Sequence, residues 1–256
     1  MRINSQTRCV VTGGASGLGE AAARALAGRG ASVAILDVNK EKGEAVAESI
    51  GGFFVYVNLL DETAVDSAVA KALDLLGGLH IIVNAAGEGL VKPVVGRKGY
   101  PHSMQAFSRN VAINLLGTFS VSAKGAAAMI KQDPVTEDGE RGVIINVGSV
   151  SAFHGQEGHA GYSASKAGVV GMTLPMARDL ARHGIRVNCV VPGLIKTPMS
   201  DLIRPERLEL ILDAQTFPIR PGKPEECAAL MLHIIENPFM NAEIVRLDAG
   251  FRIPKL

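Results

Sequence analysis

Tyr162 and Lys166 stand four residues apart in Tyr162-Ser163-Ala164-Ser165-Lys166, and on a helix that spacing puts both side chains on one face. An ammonium beside a phenol favours the phenolate, and the phenol's ordinary pKa of about 10 has to fall before it exchanges protons near neutral pH. So paired, Tyr162 serves as general base toward an alcohol or general acid toward a ketone. Ser149, thirteen residues earlier, offers a hydroxyl that donates to an oxygen gaining negative charge. A Tyr-x-x-x-Lys pair arises readily by accident, and only its place after a strand-like run and after Ser149 makes it specific.

A second group with chemistry is Thr12-Gly13-Gly14-Ala15-Ser16-Gly17-Leu18-Gly19, between an apolar run and a helical pattern. Small residues leave the N–H groups of a helix N-terminus open to a pyrophosphate, so Gly13, Ser16, Gly17, Leu18 and Gly19 are the expected phosphate-side positions. Taken alone, such a cluster is as readily a tight turn without a ligand, and its placement decides. Asp37 ends the second apolar run, about twenty residues beyond the glycines, where a carboxylate accepts from both adenosine-ribose hydroxyls and repels a 2′-phosphate. Asn39 is the expected cap of the helix that follows, which leaves Asp37 free for the ribose. The cofactor expected is therefore NAD, with Lys40 close enough to temper the preference.

These residues need a frame. The apolar, β-branched runs Cys9–Val11, Val33–Leu36, Phe53–Val57, Ile81–Val83, Val143–Val147, Val187–Val191 and Ile244–Leu247 alternate with helical patterns such as Leu18–Arg29. Short, wholly apolar strands separated by helices imply an α/β chain, a doubly wound parallel sheet of about seven strands with helices on both faces. No linker or repeat interrupts the alternation, so one domain is expected over 1–256. Lys92–His102 and Gln132–Gly142, with their Gly and Pro, are expected to be loops.

Composition excludes other classes. Of 256 residues, 26 are Lys or Arg and 25 Asp or Glu, so no net field draws nucleic acid or an anionic membrane. Hydrophobic residues make up 47% and charged ones 20%, far from the composition of disorder. No stretch approaches the ~18 apolar residues of a membrane span, and no signal core precedes the first strand. Cys9, Cys189 and Cys227 form no Cys-x-x-Cys pair, and His154 and His159 match no metal spacing, so neither a disulfide framework nor a metal is expected. A reducing, cytoplasmic home and a small-molecule substrate fit these features. The helix from about Tyr162 to Arg182 carries Val169, Val170, Met172, Leu174 and Met176 on more than one face, which points to a subunit interface, and Pro175 to a bend or a lost hydrogen bond.

Taken in order, the glycine turn, Asn84-Ala85-Ala86-Gly87, Asn114, Ser149, Tyr162, Lys166, Pro192-Gly193 and Thr197 resemble the classical short-chain dehydrogenases/reductases, which have a single-domain Rossmann fold. The resemblance implies that Lys166 also holds the nicotinamide ribose, that Asn114 supports a water relay to it, and that Asn84, Ala85 and Gly87 meet the cofactor. It implies too that Pro192, Gly193, Ile195 and Thr197 close over the nicotinamide and that Asn58 and Leu59 lie by the adenine, Asn58 departing from the usual aspartate. Arg141–Asn146, Ala152-Phe153, Gly171–Pro175 and Ile235–Phe239 are most similar to the type II 3-hydroxyacyl-CoA dehydrogenases. That implies an acyl-CoA substrate, Gln156 beside it with Ser149, a substrate loop at about 193–220 and a homotetramer. Lys196, Arg204 and Arg207, around that loop, either meet CoA phosphates or form a solvated face. A steroid, cyclic or other secondary alcohol is the alternative substrate, and a non-catalytic nucleotide-binding scaffold the alternative class.

Overall fold

All seven apolar runs are strands in the computed structural model, which describes residues 1–252. The last four residues of the domain expected over 1–256 lie outside the described residues. The strands are β1 (Arg8–Thr12), β2 (Ser32–Asp37), β3 (Phe53–Tyr56), β4 (Ile81–Asn84), β5 (Gly142–Val147), β6 (Ile185–Pro192) and β7 (Ile244–Leu247). They form one parallel sheet in the order β3-β2-β1-β4-β5-β6-β7. The order reverses between β1 and β4, and the crevice beyond the carboxyl ends of those two strands is where such sheets take ligands.

Side chains along the strands alternate between two cores. Cys9, Val11, Val33, Ile35, Ile81 and Val83 face one, with α1 (Gly17–Gly28), part of α2 (Lys40–Ser49) and α8 (Pro224–Glu236). Val10, Ala34, Leu36, Ile82 and Ile144 face the other, with α3 (Glu62–Leu76), α5 (Thr118–Met129) and α6 (Ala160–Ala181). Burial on both faces is why these strands are continuously apolar.

The remaining α-helices are α4 (Met104–Val111), which runs through a π-helical stretch, Ala112–Gly117, into α5, and α7 (Pro205–Asp213) in the segment after β6. The continuous helix Met104–Met129 is long and apolar enough by composition to cross a membrane, which corrects the expectation that no stretch comes near this. Here its apolar residues Val121, Ala126 and Met129 pack into the core beneath β4 and β5. Lys92–His102 is irregular with one bridge, Val95 to Pro101, and the second loop ends one residue early because Gly142 opens β5. Pro175 lies within an unbroken α6, and the carbonyl it leaves without a donor belongs to exposed Gly171.

Candidate active site

The glycine turn is held by contact with the next strand end. Gly13 has φ +68°, and a Cβ there would stand 2.7 Å from the backbone of Ala86. A Cβ on Gly19 would lie 2.2 Å from the Gly13 carbonyl oxygen. These two glycines therefore serve the packing of the turn, and the approach to α1 is left to Ser16, Gly17 and Leu18. Ser16 makes no side-chain cap, whereas Asn39, Asp61 and Ser103 cap α2, α3 and α4. The first-turn N–H groups of α1 are thus left for an anion. Gly17, at φ +56°, faces the Thr197 side chain 3.2 Å from its would-be Cβ, so the turn and the segment after β6 meet where the sequence expects a cofactor. A cleft of about 590 Å³ opens there, lined by Ser16, Gly17, Lys42, Thr197 and Pro198 among others.

Asn39 does cap α2, accepting from the Lys42 N–H at 3.1 Å. Asp37 is nevertheless not free. Its Oδ2 accepts from the Ala15 N–H at 3.1 Å and its Oδ1 from the Asn39 N–H at 2.8 Å, because the carboxylate fastens the glycine turn to the end of β2. Each oxygen retains acceptor capacity for a ribose hydroxyl. Asn58 turns the chain after β3, its Oδ1 accepting from the Leu60 N–H at 3.1 Å, and Leu59 packs on Gly117.

Ser149, Tyr162, Lys166 and Asn114 converge at the carboxyl ends of β4 and β5. Ser149 follows β5, and its Oγ accepts from the Ser151 N–H at 3.1 Å. Lys166, 5% exposed, donates to the Val147 carbonyl at 2.8 Å and lies 6.0 Å from the centre of the Tyr162 ring. Burial lowers its pKa to about 8. The Tyr162 phenol moves the other way: burial raises it, against a hydrogen bond with Ser149 that lowers it. The expectation that the phenol falls below its ordinary pKa is therefore corrected for the chain by itself. The ammonium is turned to Val147, and desolvation of a phenolate outweighs what Ser149 returns.

Asn114 sits in the π-helical stretch, a distortion that often marks a functional position. Its Nδ2 donates to Glu88 O and Ser165 Oγ, each at 3.0 Å, and its Oδ1 accepts from the Glu88 N–H at 2.9 Å. A Cβ on Gly87 would stand 3.0 Å from this Oδ1 and 3.5 Å from Lys166 Nζ, so a glycine there keeps the lysine open. Asn84 is spent inside the fold, donating to Ser122 Oγ at 2.8 Å and Asn146 Oδ1 at 2.9 Å, while Ala85 follows it toward the glycine turn.

After β6, Pro192-Gly193 runs against Asp248, Ile195 bridges to Gly222, and Thr197 accepts Ser200 in a tight turn. Arg207 of α7 donates to Gln156 Oε1 at 3.2 Å and to the Glu157 carbonyl at 2.9 Å, Lys196 pairs with Asp201, and Arg204 is exposed. His159 stands edge-on to Tyr162, ring centres 5.9 Å apart. Sequence reasoning missed Arg246 of β7, which lies 5.5 Å above the Phe153 ring and 3.2 Å from His154 Nε2. Along the chain it pairs only with Asp248 and the Phe251 carbonyl, which marks no site, and the contacts that bring it to the site, Phe153 and His154, lie over ninety residues away.

The chain matches the family described as short chain dehydrogenase over residues 7–208. It is 46% identical to human 3-hydroxyacyl-CoA dehydrogenase type-2, covering 95% of this chain and 94% of that one. It is 34% identical to 2,5-dichloro-2,5-cyclohexadiene-1,4-diol dehydrogenase of Sphingobium indicum, covering 94% and 95%. The crystal structure of 3-hydroxyacyl-CoA dehydrogenase type-2 from Mycobacterium avium superimposes with a TM-score of 0.90 at 38% identity, over 96% of each chain.

Proposed function

The chain belongs to the short-chain dehydrogenase family and is an oxidoreductase, and from that premise we propose that it interconverts (S)-3-hydroxyacyl-CoA and 3-oxoacyl-CoA with NAD. The observation that carries the chemistry is the convergence of Ser149, Tyr162 and buried Lys166 beside the uncapped N-terminus of α1. The substrate reading is supported by 46% identity to a 3-hydroxyacyl-CoA dehydrogenase.

The residues fit a dinucleotide. Ser16, Gly17 and Leu18 would offer N–H groups to its pyrophosphate, Asp37 would offer acceptors to the adenosine ribose, and Lys166 and Thr197 would hold its nicotinamide half. When bound, the nicotinamide supplies or accepts the hydride. Tyr162, kept protonated by burial, donates its phenolic proton to the oxygen of a 3-oxo group, and Ser149 donates a hydrogen bond to that oxygen as it gains charge. Lys166, still cationic at neutral pH with a pKa near 8, stabilises the phenolate left behind. In oxidation the proton travels back along the same path, with Asn114 holding the Glu88 backbone beside the lysine. A homotetramer and a cytoplasmic location belong to the same proposal.

Initial rates with acetoacetyl-CoA test it, using NADH and NADPH in turn. Turnover with NADH is expected, and Tyr162→Phe is expected to lose at least about 100-fold. Asp37→Ala should erode the preference for NADH over NADPH by roughly tenfold or more, since the charge facing a 2′-phosphate is gone. An unchanged preference would refute the role of Asp37. The 34% identity to a cyclic diol dehydrogenase favours one second reading, a cyclic or other secondary alcohol, and an inert thioester beside a reactive free ketone would select it.

A further inference from the structure

Helix α7 has no fully buried side chain, and Leu208, Ile211 and Leu212 are partly buried. Among the described residues, every side-chain hydrogen bond that ties α7 to the rest of the chain comes from Arg207. The acceptors are Gln156 and the Glu157 carbonyl, in the turn that leads through His159 into Tyr162. One guanidinium thus joins the segment after β6 to the rim of the acid/base site. The imidazole of His159 feels the same group: burial and then the Arg207 charge lower its pKa.

We propose that Arg207 is a positioning residue that makes closure of α7 and orientation of Gln156 a single event. An arginine suits this because its rigid fork reaches two acceptors at once, which a lysine on a flexible stem does less well. A helix with no fully buried side chain opens more readily when that tie is lost, and only the closed fraction binds substrate. The apparent KM then rises as the reciprocal of that fraction, whereas kcat, read from complexes already closed, holds. The inference deepens the proposed function, and its kinetic readout rests on the acyl-thioester reading. It competes with a different use of the same side chain, direct contact with CoA phosphates.

The test compares wild type, Arg207→Met and Arg207→Lys, each with NADH, on acetoacetyl-CoA and on the N-acetylcysteamine thioester of acetoacetate, which has no phosphate. Arg207→Met is expected to raise KM for both thioesters by roughly tenfold, the worth of hydrogen bonds from a charged donor, with kcat within about twofold. The KM for NADH stays put, and Arg207→Lys recovers part of the loss on both substrates. A loss confined to the CoA thioester, or one that falls on kcat alone, overturns the proposal. Hydrogen exchange supplies a substrate-free readout: in Arg207→Met, amides of 205–213 and of 155–159 should exchange faster together, and unchanged rates in either segment overturn the coupling. If wild type turns over neither thioester, the acyl-thioester reading fails, and the exchange result alone decides the role of Arg207.

Discussion

Lys166 shows how one residue trades stability for chemistry. Its ammonium is buried, and its pKa in the fold is about 8 against an ordinary 10.5. Below pH 8 the lysine is charged both folded and unfolded, so the full penalty of burying that charge is present. Between pH 8 and 10.5 the folded chain releases the proton while the unfolded chain keeps it, and stability rises with pH. From pH 7 to 9.5 wild type should therefore gain roughly 2 kcal/mol from this group, an increment that Lys166→Met lacks. Urea titrations of both proteins at the two pH values measure it, and equal slopes would show that Lys166 is not desolvated in solution. Asp37 makes the complementary point: as an anchor of the glycine turn it has a structural duty besides any toward a ribose.

At the scale of elements, β6 and α8 are locked by Arg186. This strand residue, 7% exposed, donates to the carbonyls of Ile234 (2.9 Å), Ile235 (2.7 Å) and Met240 (2.8 Å) at and beyond the end of α8. Glu140 accepts from its Nε at 2.9 Å and neutralises it. A helix end leaves carbonyls without partners, and here a buried guanidinium from another element supplies them. Arg186→Met leaves Glu140 with the Met1 ammonium, 2.6 Å away, as its one remaining cation and strands those carbonyls. A loss of roughly 3–5 kcal/mol is expected by chemical denaturation, with unfolding still cooperative. A loss within about 0.5 kcal/mol, the range of ordinary surface changes, would mean that water reaches the network.

Across the whole molecule, the outer surfaces of the helix pair at the site remain apolar. Leu116 and Phe119 on the π-helical stretch and α5 are 58% and 51% exposed, and Leu174 on α6 is 43% exposed. Gly171 meets nothing within 4 Å of its would-be Cβ, which leaves room for a close approach by another chain. Apolar residues so placed are what a second copy would cover. The double variant Phe119→Glu with Leu174→Glu should sediment as a smaller species than wild type while keeping its circular dichroism. Unchanged sedimentation would refute an interface on this face.

The sequence by itself determined the strands, their parallel arrangement and the order of the motifs, because periodicity, glycine placement and i,i+4 spacing are local properties. Asn39 was legible as a cap for the same reason. It did not reveal that Asp37 is tied to Ala15, that Gly13 serves contact with Ala86, or that Arg246 reaches His154 and Arg207 reaches Gln156. Those contacts join residues far apart along the chain, and only the folded sheet brings them within hydrogen-bond range. The direction of the Tyr162 pKa belongs with them: spacing showed that a lysine is near, but burial, a property of the packed site, outweighs the favourable groups and raises it.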